Sequence, residues 1–267
     1  METLEPTQSE INSITNFFSN GDYEEALGSV ENLLKSFPEN SLLHNITGAC
    51  YSNLDQLGPA VKSYEKAITF NPNNAKAHYN LGGALHELGH LTKSIQSYYR
   101  SIEIDSNYAE AHYNLGNAYK DNDELENAIK SYENAIEINP NYVEAHYSAG
   151  ITLQTLGKLD AMIEHLENAV GIKPDLAEAH NLIGVGLKEI GKLDASIDSY
   201  LVAIDKNPDF SEAYNNLGNS FIELGQIDSA VESYNKALEI NPDYPTFHNN
   251  LGNALKELGK LEGAFES

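Results

Sequence analysis

The chain has 267 residues, a formal net charge of −24 and a pI near 4.5. So acidic a surface argues against binding nucleic acid or an anionic membrane through general electrostatics, because both need a basic surface. Cys50 is the single cysteine, which excludes an internal disulfide framework. No apolar run approaches the roughly 20 residues needed to span a bilayer. The first residues lack the basic and apolar regions of a signal peptide, so the sequence predicts a cytoplasmic protein.

A unit of 34 residues recurs along the chain without insertion or deletion. Position 1 of the unit falls on residues 7, 41, 75, 109, 143, 177, 211 and 245. Position 8 is glycine from the second unit onward, and position 32 is proline in all full units except one, where Ser106 replaces it. Self-similarity at a fixed period indicates a repeat array in which each unit packs on its neighbours.

In chain order, residues 1–6 are a predicted tail and residues 7–267 a predicted single solenoid. The predicted repeats are residues 7–40, 41–74, 75–108, 109–142, 143–176, 177–210, 211–244 and a partial eighth, 245–267. The first half of repeat 1 is irregular, with Ile14 at position 8. We interpret repeat 1 as an N-terminal cap, because terminal repeats present one face to water.

Each repeat is predicted to form a helical hairpin, with helix A at positions 1–14 and helix B at positions 18–30. A glycine near position 15 should end helix A, as at Gly89, Gly157, Gly191, Gly225 and Gly259. Proline at position 32 should stop helix B, and the following Asn141 or Asp209 could cap the next helix A. Small residues at positions 8 and 20 should let the two helices approach closely. Met162 occupies position 20 of repeat 5, which predicts looser or shifted packing there.

The residues at the characteristic positions of repeat 4 are Leu115, Gly116, Tyr119, Ala128, Tyr132, Ala135 and Pro140. This pattern resembles the signature of the tetratricopeptide repeat family and covers about nine-tenths of the chain. The resemblance implies an all-α, right-handed superhelical solenoid of antiparallel helix pairs. It implies a binding scaffold rather than an enzyme, although a fold alone does not specify function.

The last repeat stops inside its helix B. We therefore expect Leu251, Leu255 and Leu258 to be under-covered. Exposed apolar patches mark association sites, so fraying or end-to-end self-association is predicted there.

Two histidine patterns suggest metal chemistry and are better explained by packing. His86 to His90 match the H-E-x-x-H zinc motif, which needs both imidazoles on one continuous helix, but Gly89 lies at the predicted turn. Position 4 carries histidine in six repeats: His44, His78, His112, His146, His180 and His248. One histidine per repeat puts neighbours roughly 10 Å apart, too far to share a metal. The sequence predicts no metal and no cofactor.

Positions 2, 5, 6, 9, 12 and 13 share the other face of helix A, which in the family lines the concave groove. Asparagine, a poor helix former, recurs at positions 5, 6 and 9. Its amide can bind an extended peptide backbone without reading its sequence. Tyrosine at position 5 adds flat contact area, and lysine at position 12 adds isolated positive charge. The predicted peptide-binding residues are Tyr79, Asn80, Tyr113, Asn114, Asn117, Lys120, Tyr147, Asn181, Lys188, Asn215, Asn216, Asn219, Asn249, Asn250 and Asn253.

The alternative interpretation is a solvated polar face whose asparagines bond between neighbouring repeats. If peptides bind, glutamate at position 2 should favour basic or neutral segments over acidic ones. These glutamates are Glu110, Glu144, Glu178 and Glu212.

The asparagine pattern resembles the superhelical array of O-linked N-acetylglucosamine transferases. It is strongest in repeats 4, 7 and 8 and weakens in repeats 5 and 6, where Ser148 and Leu182 stand at position 6. Two functional hypotheses follow. One is a protein- or peptide-binding scaffold that is not an enzyme. The other is a substrate-recruiting array from a larger enzyme, such as a glycosyltransferase.

Overall fold

The computed structural model describes residues 5–265, with side chains through residue 259, so residues 1–4 of the predicted tail lie outside the described part. All regular structure in the described residues is α-helical, as predicted. The helices are α1 Gln8–Asn20, α2 Tyr23–Ser36, α3 Ser41–Asn53, α4 Leu57–Phe70, α5 Ala75–Glu87, α6 Leu91–Ile104, α7 Ala109–Asp121, α8 Leu125–Ile138, α9 Val143–Thr155, α10 Leu159–Ile172, α11 Ala177–Glu189, α12 Leu193–Lys206, α13 Ser211–Glu223, α14 Ile227–Ile240 and α15 Pro245–Phe265. None of the described helices is both long and apolar enough to cross a membrane.

The chain divides into two compact units, residues 1–140 and residues 141–267. The first contains α1 to α8 and the second α9 to α15. Within each unit, an A helix packs against its own B helix and that B helix packs against the next A helix. The predicted architecture of stacked helix pairs is therefore confirmed in each unit, and the single solenoid over residues 7–267 stays a prediction.

The turn between helices A and B depends on a left-handed residue at position 15. The glycines there have φ between +69° and +84°. Asp55 and Asp123 take the same conformation in repeats 2 and 4, with φ of 57° and 60°. Aspartate tolerates this region better than most residues, so these two turns form without glycine.

Two predictions about the ends of helices were wrong. Helix α15 runs through Gly259 without a turn. Only eight residues follow Gly259, too few to form a full helix B whose packing would favour the turn. Asn141 and Asp209 do not cap the next helix, because the N-cap residue lies at position 34, where Tyr142 and Phe210 make no side-chain cap bond. Asn40 and Asn74 do occupy position 34, and their side chains cap α3 and α5.

Helices A and B meet where the glycine at position 8 faces the side chain at position 24. A Cβ on Gly116 would lie 2.5 Å from the ring of Tyr132, and one on Gly218 would lie 2.6 Å from Tyr234. Real Cβ atoms do not approach so closely, so glycine is required for the tyrosine to reach its buried place. Repeat 1 fills the same space with different residues. A larger Ile14 stands at position 8 and a smaller Val30 at position 24, and both are buried.

Position 20 of one repeat faces position 10 of the next. Ser196 Oγ and Ser220 Oγ, for example, lie 3.1 Å apart. Cys50 occupies position 10 of repeat 2 and is fully buried, so it packs as a small apolar residue, and burial raises the pKa of its thiol to about 11. Met162 is also fully buried. Gly186 at position 10 of repeat 6 accommodates it, because a Cβ there would lie 3.4 Å from Met162 Cε and 3.0 Å from Ile163 Cγ1. The predicted loosening is therefore absent, and a smaller neighbour compensates for the larger residue.

Five of the histidines at position 4 tie their A helix to the turn before it. The imidazole Nε2 of His44 lies 2.8 Å from the carbonyl oxygen of Pro38, and that of His78 lies 3.0 Å from Pro72. His112, His180 and His248 make the same bond, to Ser106, Pro174 and Pro242. Burial lowers the pKa of His78 and of His112, so neutral imidazoles that donate to these carbonyls are favoured. These five histidines are structural, as the repeat spacing indicated.

The pair formed by Met162 and Gly186 can be tested by exchanging it for the alanine pair found between other repeats. Gly186→Ala alone should lower the free energy of unfolding by about 1–3 kcal/mol through overpacking. Met162→Ala alone should cost about 2–5 kcal/mol because it leaves a cavity. The double variant should be more stable than Met162→Ala, since the new methyl group enters that cavity. Urea unfolding of the four proteins measures this coupling. Additive losses would show that the two residues do not compensate for each other.

Candidate functional site

The asparagines at positions 5 and 6 join adjacent A helices. In the C-terminal unit, Asn216 Nδ2 donates to Asn181 Oδ1 at 3.0 Å, and Asn250 Nδ2 donates to Asn215 Oδ1 at 2.8 Å. Both acceptors are buried, with 8% and 7% of their surface exposed. The position-6 residue of one repeat therefore donates to the position-5 residue of the repeat before it. We call this arrangement the amide ladder.

The N-terminal unit contains the same ladder with one substitution. Asn80 Nδ2 donates to Asn45 Oδ1 at 3.0 Å, and Asn114 Nδ2 donates to the hydroxyl oxygen of Tyr79 at 2.8 Å. Tyr79 thus replaces an asparagine acceptor at position 5. Tyr113 and Tyr147, also at position 5, are half-buried. The ring of Tyr113 lies 5.8 Å from that of Tyr132, so it contributes to packing as well as to the surface.

Asparagine at position 9 accepts a hydrogen bond from the tyrosine beneath it. Tyr132 donates to Asn117 Oδ1 at 2.9 Å, and Tyr234 donates to Asn219 Oδ1 at 2.8 Å. Asn250 Nδ2 also lies 3.4 Å from Asn219 Oδ1. These bonds satisfy hydroxyl groups that the buried tyrosines bring to the helix interface. The recurrence of asparagine therefore has a structural cause, which the sequence offered only as an alternative.

The ladder leaves part of each amide available. An asparagine side chain has two N–H donors and an oxygen with two lone pairs. In the Asn216–Asn181 bond, Asn216 uses one donor and Asn181 one lone pair. Asn216 is half-buried, so its carbonyl oxygen and second N–H can still meet a ligand. Asn249 and Asn253 on α15 are exposed. The asparagines can thus hold the repeats together and present hydrogen-bonding groups at the surface.

The lysines at position 12 differ from one another. Lys120 is exposed. Lys188 Nζ lies 2.6 Å from Glu223 Oε1 in the next repeat, so it is not the isolated charge that the sequence predicted. The reason is that position 13 of the following repeat is a carboxylate at the right height to pair with it. Lys188 therefore offers a ligand less positive potential than Lys120.

The zinc-like motif is divided by a turn. His86 lies in the last turn of α5, Gly89 has φ +74°, and His90 is the residue before α6. His86 Nε2 lies 2.8 Å from Asp121 Oδ2 in the next repeat. The continuous helix that would place both imidazoles on one metal is missing from this stretch. In the described part of the chain, no three histidine, cysteine or carboxylate side chains converge on a point where a metal could bind.

We call the side of the A helices that carries the amide ladder the ladder face. A pocket of about 700 Å³ lies on this face of the N-terminal unit, and the sequence did not predict it. Its walls come mostly from α1, α3, α5 and α7, with Tyr64 of α4 and Tyr98 of α6, and include Ile11, Leu42 and Lys76. The sequence feature that could have predicted the pocket is at position 9. Ala49 and Gly83 stand there in place of the asparagine of repeats 4, 7 and 8. Smaller residues there leave space between neighbouring A helices, which a pattern search for asparagine passes over.

Repeat 6 breaks the pairing of positions 9 and 24. Tyr200 is fully buried, and its hydroxyl oxygen has no hydrogen-bond partner among the described residues. Position 9 is Val185 in this repeat, where Asn117 and Asn219 accept the tyrosine hydroxyl in repeats 4 and 7. Repeat 5 has no such unpaired hydroxyl, because Leu166 replaces the tyrosine at position 24 where Ile151 stands at position 9. A buried hydroxyl without a partner destabilises the fold.

Val185→Asn should therefore stabilise the protein by about 1 kcal/mol, because it supplies the missing acceptor. Valine and asparagine have similar helix propensities, so the helix itself should change little. Chemical unfolding of Val185→Asn, Tyr200→Phe and the double variant measures the effect. The gain should vanish in the Tyr200→Phe background. An equal gain with and without the hydroxyl would contradict the proposed hydrogen bond.

Comparison with known proteins identifies the repeat. A sequence pattern described as TPR repeat matches residues 51–89, 82–123, 116–157, 186–225 and 218–259. Patterns described as tetratricopeptide repeat match residues 143–176 and 14–69. A search of curated proteins gave no significant match.

Solved structures share the fold. YrrB, described as a TPR protein with an unusual peptide-binding site, is 25% identical, covers 73% of this chain and 99% of its own, and has a TM-score of 0.65. MamA is 28% identical over 62% of this chain and 96% of its own, with a TM-score of 0.59. The C-terminal part of a TPR protein from Cytophaga hutchinsonii is only 15% identical, over 90% of this chain and 98% of its own. Its TM-score of 0.77 therefore supports the fold alone. Because the repeat pattern matches well over half of the residues and the helix pairs follow its period, the chain belongs to the tetratricopeptide repeat family.

Proposed function

We propose that the chain is a scaffold, not an enzyme, that binds extended peptide segments along the amide ladder. The observation that supports this proposal is that the bonds between repeats use only some of the donors and acceptors of the ladder amides. Asn216 and Asn250 each use N–H donors between repeats, and their carbonyl oxygens stay available at a half-buried surface. An extended peptide offers alternating N–H and C=O groups, which such amides can pair with directly. The peptide-binding site named for YrrB is consistent with this role.

The charge of the ladder face adds a preference. Glu110, Glu144, Glu178 and Glu212 at position 2 are all exposed. Lys188 is neutralised by Glu223, which leaves few cations near these carboxylates. Segments that pass these glutamates should be basic or neutral rather than acidic, and this preference should weaken as salt is added.

Three further proposals accompany this one. The ladder is the feature on which the resemblance to glycosyltransferase arrays rests, so recruitment of substrate segments for a larger enzyme is the second candidate function. The gene sequence beyond codon 267 distinguishes it from a stand-alone scaffold. End-to-end association is favoured by Leu255, which is 48% exposed, and by the open space at Gly252, where an added Cβ would meet no described atom of another helix within 4 Å. A cytoplasmic location is also part of the proposal.

Selection from a displayed library of random peptides tests the binding role. Peptides selected on the wild-type chain are titrated against Asn80→Ala/Asn114→Ala/Asn216→Ala/Asn250→Ala. Each lost hydrogen bond to a peptide should weaken binding roughly two- to tenfold. The combined loss should therefore be large, whereas each single substitution should have a modest effect.

The four substitutions also remove bonds between repeats, so stability needs a matched control. Tyr132→Phe/Tyr234→Phe removes two buried hydroxyl donors beneath the face and leaves every ladder amide in place. This control should lose stability and keep its affinity for the selected peptides. If the folded quadruple variant binds them as tightly as the wild type, the amide ladder serves structure alone.

A further inference from the structure

The pocket on the ladder face of the N-terminal unit differs chemically from the rest of that face. One end is apolar, formed by Ile11, Phe18, Leu42 and Ile46. Ile11, Phe18 and Ile46 pack against the core of the first repeats, which fixes their positions, and Leu42 is 47% exposed. The whole pocket, of about 700 Å³, has room for a bulky apolar side chain at this end. Burial of such a side chain is favourable because it removes apolar surface from water.

The other end of the pocket is polar and carries one cation. Lys76 Nζ lies 5.1 Å from the centre of the Tyr79 ring and 5.7 Å from that of Tyr108, and it donates to the Tyr108 hydroxyl oxygen at 3.0 Å. These contacts hold the ammonium group in place. Among the described residues, no carboxylate forms an ion pair with Lys76.

The charge around the pocket contrasts with the acidity of the chain. Repeats 2 and 3, residues 41–108, contain five carboxylates and five cations, so the whole net charge of −24 lies outside them. At position 2, Leu42 and Lys76 stand where later repeats have exposed glutamates. Glu87 lines the pocket and Glu110 lies near Tyr79 and Tyr108, which limits the positive potential to the surroundings of the Lys76 ammonium group.

The nearer wall of the apolar end, Leu42 and Ile46 on α3, is one repeat before Lys76 on α5. Adjacent packed helices lie roughly 10 Å apart, and an extended peptide advances about 3.3 Å per residue. About three residues of peptide therefore span the distance from the apolar end to Lys76. Asn80, on α5 with Lys76, and Asn114, on α7, also line the pocket and can pair with the main chain.

We propose that this pocket is the specificity site of the scaffold. Its occupant is a partner segment with a bulky apolar side chain and, about three residues away, a carboxylate. The apolar side chain fills the end formed by Ile11, Phe18, Leu42 and Ile46, and the carboxylate meets Lys76. This inference rests on the proposed function, because it identifies which extended peptides the ladder face selects. It also reverses the charge preference of the glutamate-lined repeats at this one place.

Four peptides on a serine–glycine background serve as probes, and their binding is followed by NMR line broadening, which detects millimolar affinity. Two carry one phenylalanine and one aspartate three residues apart, in either order. The third has lysine in place of aspartate, and the fourth has serine in place of phenylalanine. One of the first two should bind, and each replacement should weaken binding about tenfold or more for the phenylalanine and several-fold for the charge.

Protein variants locate the contacts. Leu42→Ser and Lys76→Met should each weaken the best phenylalanine–aspartate probe, and Lys76→Met should abolish its preference over the lysine peptide. Leu201→Ser and Lys130→Met are the matched controls. Leu201 is 48% exposed on α12, close to the 47% of Leu42, and Lys130 is an exposed lysine on the B helix α8. Both controls should bind the probe like the wild type.

Three outcomes would overturn the proposal: tighter binding of the lysine peptide, no binding of either phenylalanine–aspartate order at millimolar concentration, or equal loss in the control variants. Tight binding of a fatty acid in the pocket, with no peptide binding, would also overturn it. The proposed function is tested separately. If library-selected peptides still depend on the four ladder asparagines while these probes fail, only the specificity site is wrong.

Discussion

The fold depends on the close approach of helices A and B at a glycine. From repeat 2 to repeat 7, a Cβ on the position-8 glycine would lie 2.5 to 2.8 Å from the side chain at position 24. Only a hydrogen atom fits in that gap, so the large side chain reaches the interior and carries the apolar contact between the helices. Tyr98, Tyr132, Tyr200 and Tyr234 are nearly inaccessible to water as a result. The exceptions follow the same constraint, because Ile14 faces a smaller Val30, and among the described residues no B-helix side chain would meet a Cβ on Gly252.

This packing explains the polar residues of the neighbouring face. A tyrosine pressed against glycine brings its hydroxyl group to the A-helix surface, where it needs an acceptor. Asn117 and Asn219 supply one. Positions 5 and 6 then connect α3 to α5 and α5 to α7 in the first unit, and α11 to α13 and α13 to α15 in the second, through the amide ladder. The candidate site is therefore built on groups that already stabilise the repeats, and binding would use the hydrogen-bonding capacity that the fold leaves over.

The sequence predicted the parts of the structure that depend on the 34-residue period. It failed where the packing or pairing of a residue depends on its partner in a neighbouring repeat. Helix pairs, turns at Gly89 or Gly225 and the packing role of the position-4 histidines all follow from the register. The turns at Asp55 and Asp123 carry no glycine, so a glycine pattern does not find them. The buried Met162 could be understood only with Gly186, which lies in the next repeat. Lys188 likewise appeared isolated because its partner Glu223 is one repeat away. Amide orientation at the ladder and the space beside Ala49 and Gly83 depend on three-dimensional geometry, which the period does not encode.

The central claim is that the ladder amides bind peptide backbone while they keep the repeats joined. A crystal structure of the chain with a library-selected peptide tests it most directly. The account predicts main-chain atoms of the peptide within about 2.7–3.2 Å of the position-6 asparagines, with the Asn216–Asn181 and Asn250–Asn215 bonds intact. A peptide bound on the B helices, or one that touches none of the ladder amides, would contradict it.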